Sequence, residues 1–140
     1  MTKTILVVED DMELLDLYAE ILQVNMYNVQ TATDGEEAVS KYRQMHPDLV
    51  VMDGDLPKLD GYEAFSQIIK MDKNARVVIV TGFSEFEPKN KRALEQGLIS
   101  VISKPIEVDI LLDLAKKYSD LKSLEKQDLV SNSSLERSIS

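Results

Sequence analysis

The stretch "DLVVMDGDLPKLDGYEAF", residues 48–65, drives an apolar run into Asp53 and repeats the acid at Asp55. A short β-branched run bounded by turn residues reads as a strand buried on both faces. Such a strand ends in a carboxylate only where something holds the charge, because an unpaired buried carboxylate is expensive. After the turn residues of "GDLPKLD", the pattern "GYEAFSQIIKM" (61–71) changes to helical spacing. The stretch is therefore one strand–helix unit with an acid at its joint.

The same unit recurs on both sides. "TILVV" (4–8), "YNVQTA" (27–32), "RVVIVTG" (76–82) and "SVIS" (100–103) read as strands, the second alternating as a strand nearer a sheet edge does. Between them, Leu14, Leu15, Tyr18, Ile21 and Leu22 recur at helical spacing over 12–24, and Ala38, Val39 and Tyr42 over 34–45. A polar helix over roughly 87–96 stops at Gly97. A last helix begins near Glu107 and is expected to turn Ile110, Leu111, Leu114 and Ala115 inward. Strict alternation predicts an α/β fold, a doubly wound parallel sheet of five strands with helices on both faces.

Composition narrows the function. A chain of 140 residues with 44% hydrophobic and 29% charged residues fits one soluble domain. With no cysteine, thiolate metal sites and cysteine nucleophiles are excluded, and the absence suits a reducing cytoplasm. The one histidine, His46, falls in a loop, which removes histidine triads. A net charge of −9 argues against nucleic-acid binding, and no apolar run approaches the ~20 residues of a membrane span. The chain is expected to be cytoplasmic. Residues 1–126 read as the domain, and Ser-rich 127–140 as a disordered tail.

In a doubly wound sheet, ligands bind at the carboxyl ends of the strands. Here those ends carry Glu9, Asp10 and Asp11, then Asp53, then Thr81, then Ser103 and Lys104. Singly, each has a bland reading: Asp10 or Asp11 as a helix cap, Asp53 as a turn residue, Lys104 as a surface lysine. Together they bring acids, a hydroxyl and an amine to one rim. Clustered carboxylates repel unless a cation joins them, and oxygen-only donors favour Mg²⁺. A carboxylate beside Mg²⁺ is able to attack phosphorus and form an acyl phosphate, with lysine and hydroxyl on the phosphoryl oxygens.

"ILVVEDD", "DLVVMDGDLPKLDGYE", "VVIVTG" and "GLISVISKP", in this order and spacing, resemble the receiver domain of two-component response regulators over about residues 3–120. The resemblance implies a (βα)5 flavodoxin-like arrangement with strand order 2-1-3-4-5. It implies Asp53 as phosphoacceptor, Asp10 as a Mg²⁺ ligand, Glu9 acting on the metal through water, and Asp55 lending its backbone carbonyl. Mn²⁺ is the alternative metal. Thr81 and Lys104 would bind the phosphoryl group, and the Lys104–Pro105 peptide would be cis. The implied donor is a sensor histidine kinase or phosphotransfer protein, and the output is contact with a downstream protein rather than separate enzymatic turnover.

Two departures stand out. The family's switch aromatic on the fifth strand is replaced by Val101, so Phe83 or Phe86, after Thr81, is expected to report the switch. The segment from Thr81 to Gly97 is about one residue longer than usual, and "GLISVISKPIE" lacks the charged network of regulators that dimerise through this face. Two rivals remain open at this point. A haloacid-dehalogenase-like phosphatase shares the Asp-x-Asp of "VVMDGD" but places it on its first strand. A pseudo-receiver interaction module typically loses an acid, the acceptor or the lysine, all present here.

Overall fold

A computed structural model of the chain describes residues 2–82 and 87–119. Phe83, Phe86 and the segment 127–140 lie outside the described residues. The elements alternate: β1 (Thr4–Val8), α1 (Met12–Val24), β2 (Asn28–Ala32), α2 (Gly35–Met45), β3 (Leu49–Asp53), α3 (Gly61–Met71), β4 (Val77–Thr81), α4 (Pro88–Glu95), β5 (Ser100–Ser103) and α5 (Val108–Leu114). A π-helical turn, Ala115–Ser119, continues α5. The sheet order is β2-β1-β3-β4-β5, and every neighbouring pair is parallel. This is the flavodoxin-like arrangement expected from the alternation and the resemblance.

Period-two alternation divides the central strands between two cores. Leu6, Val8, Val50, Met52, Val77 and Ile79 face α2, α3 and α4. Ile5, Val7, Leu49, Val51, Val78 and Val80 face α1 and α5. All five residues of β3 and of β4 are buried, which is why those strands read as unbroken apolar runs. At the edges, β2 and β5 are only partly buried, and β2 grades from exposed Asn28 to buried Ala32 instead of alternating as its sequence suggested.

The helix starts follow from their caps. Asp11, Asp34 and Asp60 precede α1, α2 and α3, and each side chain accepts backbone N–H groups of the first turn. Of the two acids that could cap α1, Asp11 does so, which leaves Asp10 for other work. Gly97, after α4, has a φ of 113°, as its place past the helix end requires.

One expectation fails in α5. Leu111 and Ala115 are buried and Leu114 is half-buried, but Ile110 is 40% exposed. Leu111, Ala115 and Ser119 follow one another at four-residue steps along the buried face, and Ile110, a helical step of about 100° to the side of Leu111, falls on its exposed flank. Arg76, buried beneath this turn, donates from Nη1 to the carbonyl of Tyr118 at 2.7 Å.

On the other face, buried Tyr42 donates its hydroxyl to Asp72 Oδ2 at 2.7 Å and so ties α2 to the end of α3. Tyr42→Phe is expected to lower stability by roughly 1–2 kcal/mol, the worth of a hydrogen bond to a charged group that keeps some water. Urea unfolding measures this. A midpoint equal to that of the unchanged protein would show that the bond contributes nothing.

Candidate functional site

The chain reverses its direction of winding between β1 and β3, and the crevice above their carboxyl ends is the place where such sheets bind ligands. Glu9 and Asp10 follow β1, and Asp53 ends β3. Glu9 is 3% exposed and Asp53 4%, so neither charge is met by bulk water. One carboxylate oxygen from each of Glu9, Asp10 and Asp53 lies within 4.8 Å of the others.

Lys104 answers this charge from the far side. It follows β5, where its N–H donates to the carbonyl of Thr81 at 2.9 Å, and the Lys104–Pro105 peptide is cis. Its Nζ stands 2.7 Å from Asp53 Oδ2 and 3.4 Å from Glu9 Oε1. Burial alone would lower the lysine's pKa, but the bond to Asp53 and the charges of Asp53 and Glu9 outweigh it and hold it above the ordinary value. The second oxygen of Asp53 accepts the N–H of Asp55 at 3.0 Å, and Glu9 Oε2 accepts the N–H of Asp11 at 3.2 Å. The Asp55 side chain is exposed.

Glu9 shows what this crowding costs. Burial pushes its pKa up to about 7; the Asp11 N–H opposes the rise, and the neighbouring Asp53 adds to it. A dication among the three acids would remove that repulsion. Three carboxylate oxygens this close together, with Asp10 on the exposed side, are a donor set of the kind Mg²⁺ takes, so the residues fit the metal.

The remaining predicted residues have definite places. Thr81 ends β4 and is 1% exposed; the pairing of Asp53 with Val80 sets it one residue beyond the acid's own level. Val101 pairs with Ile79 and packs, half-buried, on the α2–α4 side of the sheet. Sequence reasoning passed over two neighbours. The Tyr18 hydroxyl, on α1, accepts the N–H of Ile106 behind Glu9 and Asp53. Tyr62, the second residue of α3, meets both Thr81 and Asn90. Each reads as core at helical spacing, and a hydroxyl's partner on a distant segment leaves no local signal.

The family model for the response regulator receiver domain matches residues 5–116. This chain belongs to the response regulator receiver family. It is 32% identical over 123 residues to the sporulation initiation phosphotransferase F of Bacillus subtilis, covering 88% of this chain and 98% of that one. It is 42% identical over 106 residues to the chemotaxis protein CheY of Treponema pallidum, covering 74% and 73%. Among solved structures, a chain of the CheX–CheY–BeF3–Mg complex of Borrelia burgdorferi matches with a TM-score of 0.75 and 32% identity, over 81% of this receiver and 87% of that chain. Membership sets the phosphatase reading aside: in this receiver the Asp-x-Asp strand is third in the chain and the acid pair follows the first. Among the described residues, no helix is long and apolar enough to cross a membrane.

Proposed function

We propose that this receiver takes a phosphoryl group onto Asp53 from the phosphohistidine of a sensor kinase or phosphotransfer protein, and that the modified site alters its contacts with a downstream protein in the cytoplasm. The observation that carries this reading is a buried aspartate at the switch point, with a lysine ammonium at 2.7 Å and two further carboxylates around it. A carboxylate oxygen of Asp53 forms the new O–P bond as the P–N bond to the donor imidazole breaks, and the imidazole leaves with the bonding electrons and takes up a proton.

Glu9, Asp10 and Asp53, with the backbone carbonyl of Asp55, would hold Mg²⁺, Glu9 mostly through water. The ion supplies charge neutralisation for the phosphoryl oxygens and the crowded carboxylates. Mn²⁺ would serve the same donors. Lys104 keeps the transferring group oriented and compensates its charge. Buried Thr81 offers one hydroxyl proton to a phosphoryl oxygen. The same groups serve the separate loss step, in which a water oxygen attacks phosphorus, the O–P bond to Asp53 breaks, and inorganic phosphate leaves with the carboxylate restored, so the receiver catalyses its own loading and loss. The similar solved structure is a CheX–CheY complex with BeF3 and Mg, which accords with a phosphoryl group and a divalent ion as what this receiver takes.

Incubation with acetyl phosphate and Mg²⁺ tests the proposal. Intact mass is expected to rise by one phosphate and to fall back on base treatment. An unchanged mass would contradict it.

Asp55 sets the timing. Its carboxylate is exposed, two residues from Asp53, and its backbone N–H is held by Asp53 Oδ1 at 3.0 Å. Asp55→Asn is expected to change the phosphoryl half-life several-fold while leaving the unfolding midpoint in place, since the group is exposed and its backbone bond persists. Equal half-lives for the two proteins would remove Asp55 from this role.

A further inference from the structure

Val101, on β5, brings no hydrogen-bonding side-chain atom toward Thr81. Tyr62, on α3, brings one. It follows Gly61, which lies so close to the site that a Cβ there would fall 2.1 Å from the carbonyl oxygen of Asp53. Its ring rests on Gly54: a Cβ on that glycine would come within 2.8 Å of Tyr62 Cε2 and 3.2 Å of its hydroxyl. The hydroxyl donates to Asn90 Oδ1 at 2.5 Å, and Asn90 is fully buried in the first turn of α4. Thr81 is a hydrogen-bond partner of the same hydroxyl. Lys89, beside Asn90, sets its Nζ 4.9 Å from the ring centroid.

The other end of this chain of bonds is an element that depends on its neighbours. α4 has eight residues, begins at Pro88, and has neither a side-chain cap bond nor an acid in its first turn. A helix this short is marginal by itself, so its position is set by what holds it. The Tyr62–Asn90 bond is a buried polar tie between α3 and this first turn.

We propose that Tyr62 is a positioning residue that passes the state of Asp53 to α4 through its bonds with Thr81 and Asn90. The inference rests on the phosphoacceptor reading of Asp53. The physical basis is a competition for one proton: a threonine hydroxyl has a single O–H, so donating to a phosphoryl oxygen withdraws it from Tyr62. The tyrosine oxygen then lacks a donor in a half-buried place, and its hold on Asn90 and the first turn of α4 resettles.

The test uses the full chain with Tyr62→Phe, Thr81→Val and the double variant. Tyr62→Phe keeps the ring on Gly54 and removes only the hydroxyl. In the ligand-free protein, amide hydrogen exchange of α4 is expected to quicken roughly tenfold in Tyr62→Phe, the factor a single buried hydrogen bond supplies. Thr81→Val is expected to add little in the Tyr62→Phe background. Additive effects in this cycle overturn the link.

With beryllofluoride and Mg²⁺ as the probe, NMR should show Gly54 and Asp55 amides shifting in both the unchanged protein and Tyr62→Phe, while α4 amides shift only in the former. An α4 response of full size in Tyr62→Phe overturns the proposal. If beryllofluoride shifts nothing in the unchanged protein, the phosphoacceptor reading fails and takes the signalling role of Tyr62 with it, while the exchange cycle separately decides whether the physical link exists.

Discussion

Gly61→Ala lowers stability by about 2 kcal/mol net and carries phosphoryl uptake down with it. The added Cβ would lie 2.1 Å from the carbonyl oxygen of Asp53 and 2.9 Å from Cα of Gly54. Both obstacles are backbone, so no side chain can swing aside. Overpacking of this kind costs about 3 kcal/mol at the upper end of its usual range. Alanine's helix propensity returns at most about 1 kcal/mol at this first position of α3, which leaves sterics the larger effect. The N–H of Gly61 also donates to the carbonyl of Gly54 at 3.0 Å, so any retreat of α3 moves the loop that aims Asp53. Chemical denaturation and the rate of phosphoryl uptake measure the two halves. A variant with an unchanged midpoint and unchanged uptake would show that the close approach has no such role.

Lys104→Met slows phosphoryl uptake roughly 10²-fold, the usual loss when one preorganised electrostatic contact to a developing anion is removed. Methionine keeps most of the apolar stem, so the change isolates the ammonium. In the unloaded protein that ammonium bridges Asp53 at 2.7 Å and Glu9 at 3.4 Å. Without it the two acids face each other with no cation between them until the metal arrives. The variant therefore keeps the carboxylates that would hold the metal and loses the partner for the phosphoryl oxygens. Uptake from acetyl phosphate followed by intact mass gives the rate. A rate within a small factor of the unchanged protein would place the lysine outside the reaction.

The architecture was legible because each strand is short, apolar and separated from the next by a helical pattern with its own cap. Asp34 and Asp60 sit immediately before the helices they start, and the boundaries of β3 and α3 fall within a residue of where "DLVVMD" and "GYEAFSQIIKM" place them. The acids, hydroxyl and lysine were legible because a parallel sheet sends all its carboxyl ends to one rim. What escaped reading depends on partners far along the chain. Tyr62 and Asn90 are 28 residues apart, and neither carries a mark that the other is its partner. Ile110 was misplaced because the inward stripe was drawn wider than the line of Leu111, Ala115 and Ser119 that is buried. The choice between Asp10 and Asp11 as cap turned on backbone geometry: Asp11, at φ −79° and ψ 108°, has the extended conformation of a cap residue.

An acyl phosphate, unlike a phosphoester, is reduced by borohydride to the alcohol, so an aspartyl phosphate becomes homoserine at the modified residue. The most direct measurement loads the receiver with acetyl phosphate and Mg²⁺, reduces it, and maps the product by peptide mass spectrometry. The expected result is homoserine at Asp53, within the tryptic peptide that runs from Gln44 to Lys58, and none in Asp53→Asn. Homoserine at another aspartate, or none anywhere in the chain, would contradict the assignment of Asp53 as the phosphoacceptor.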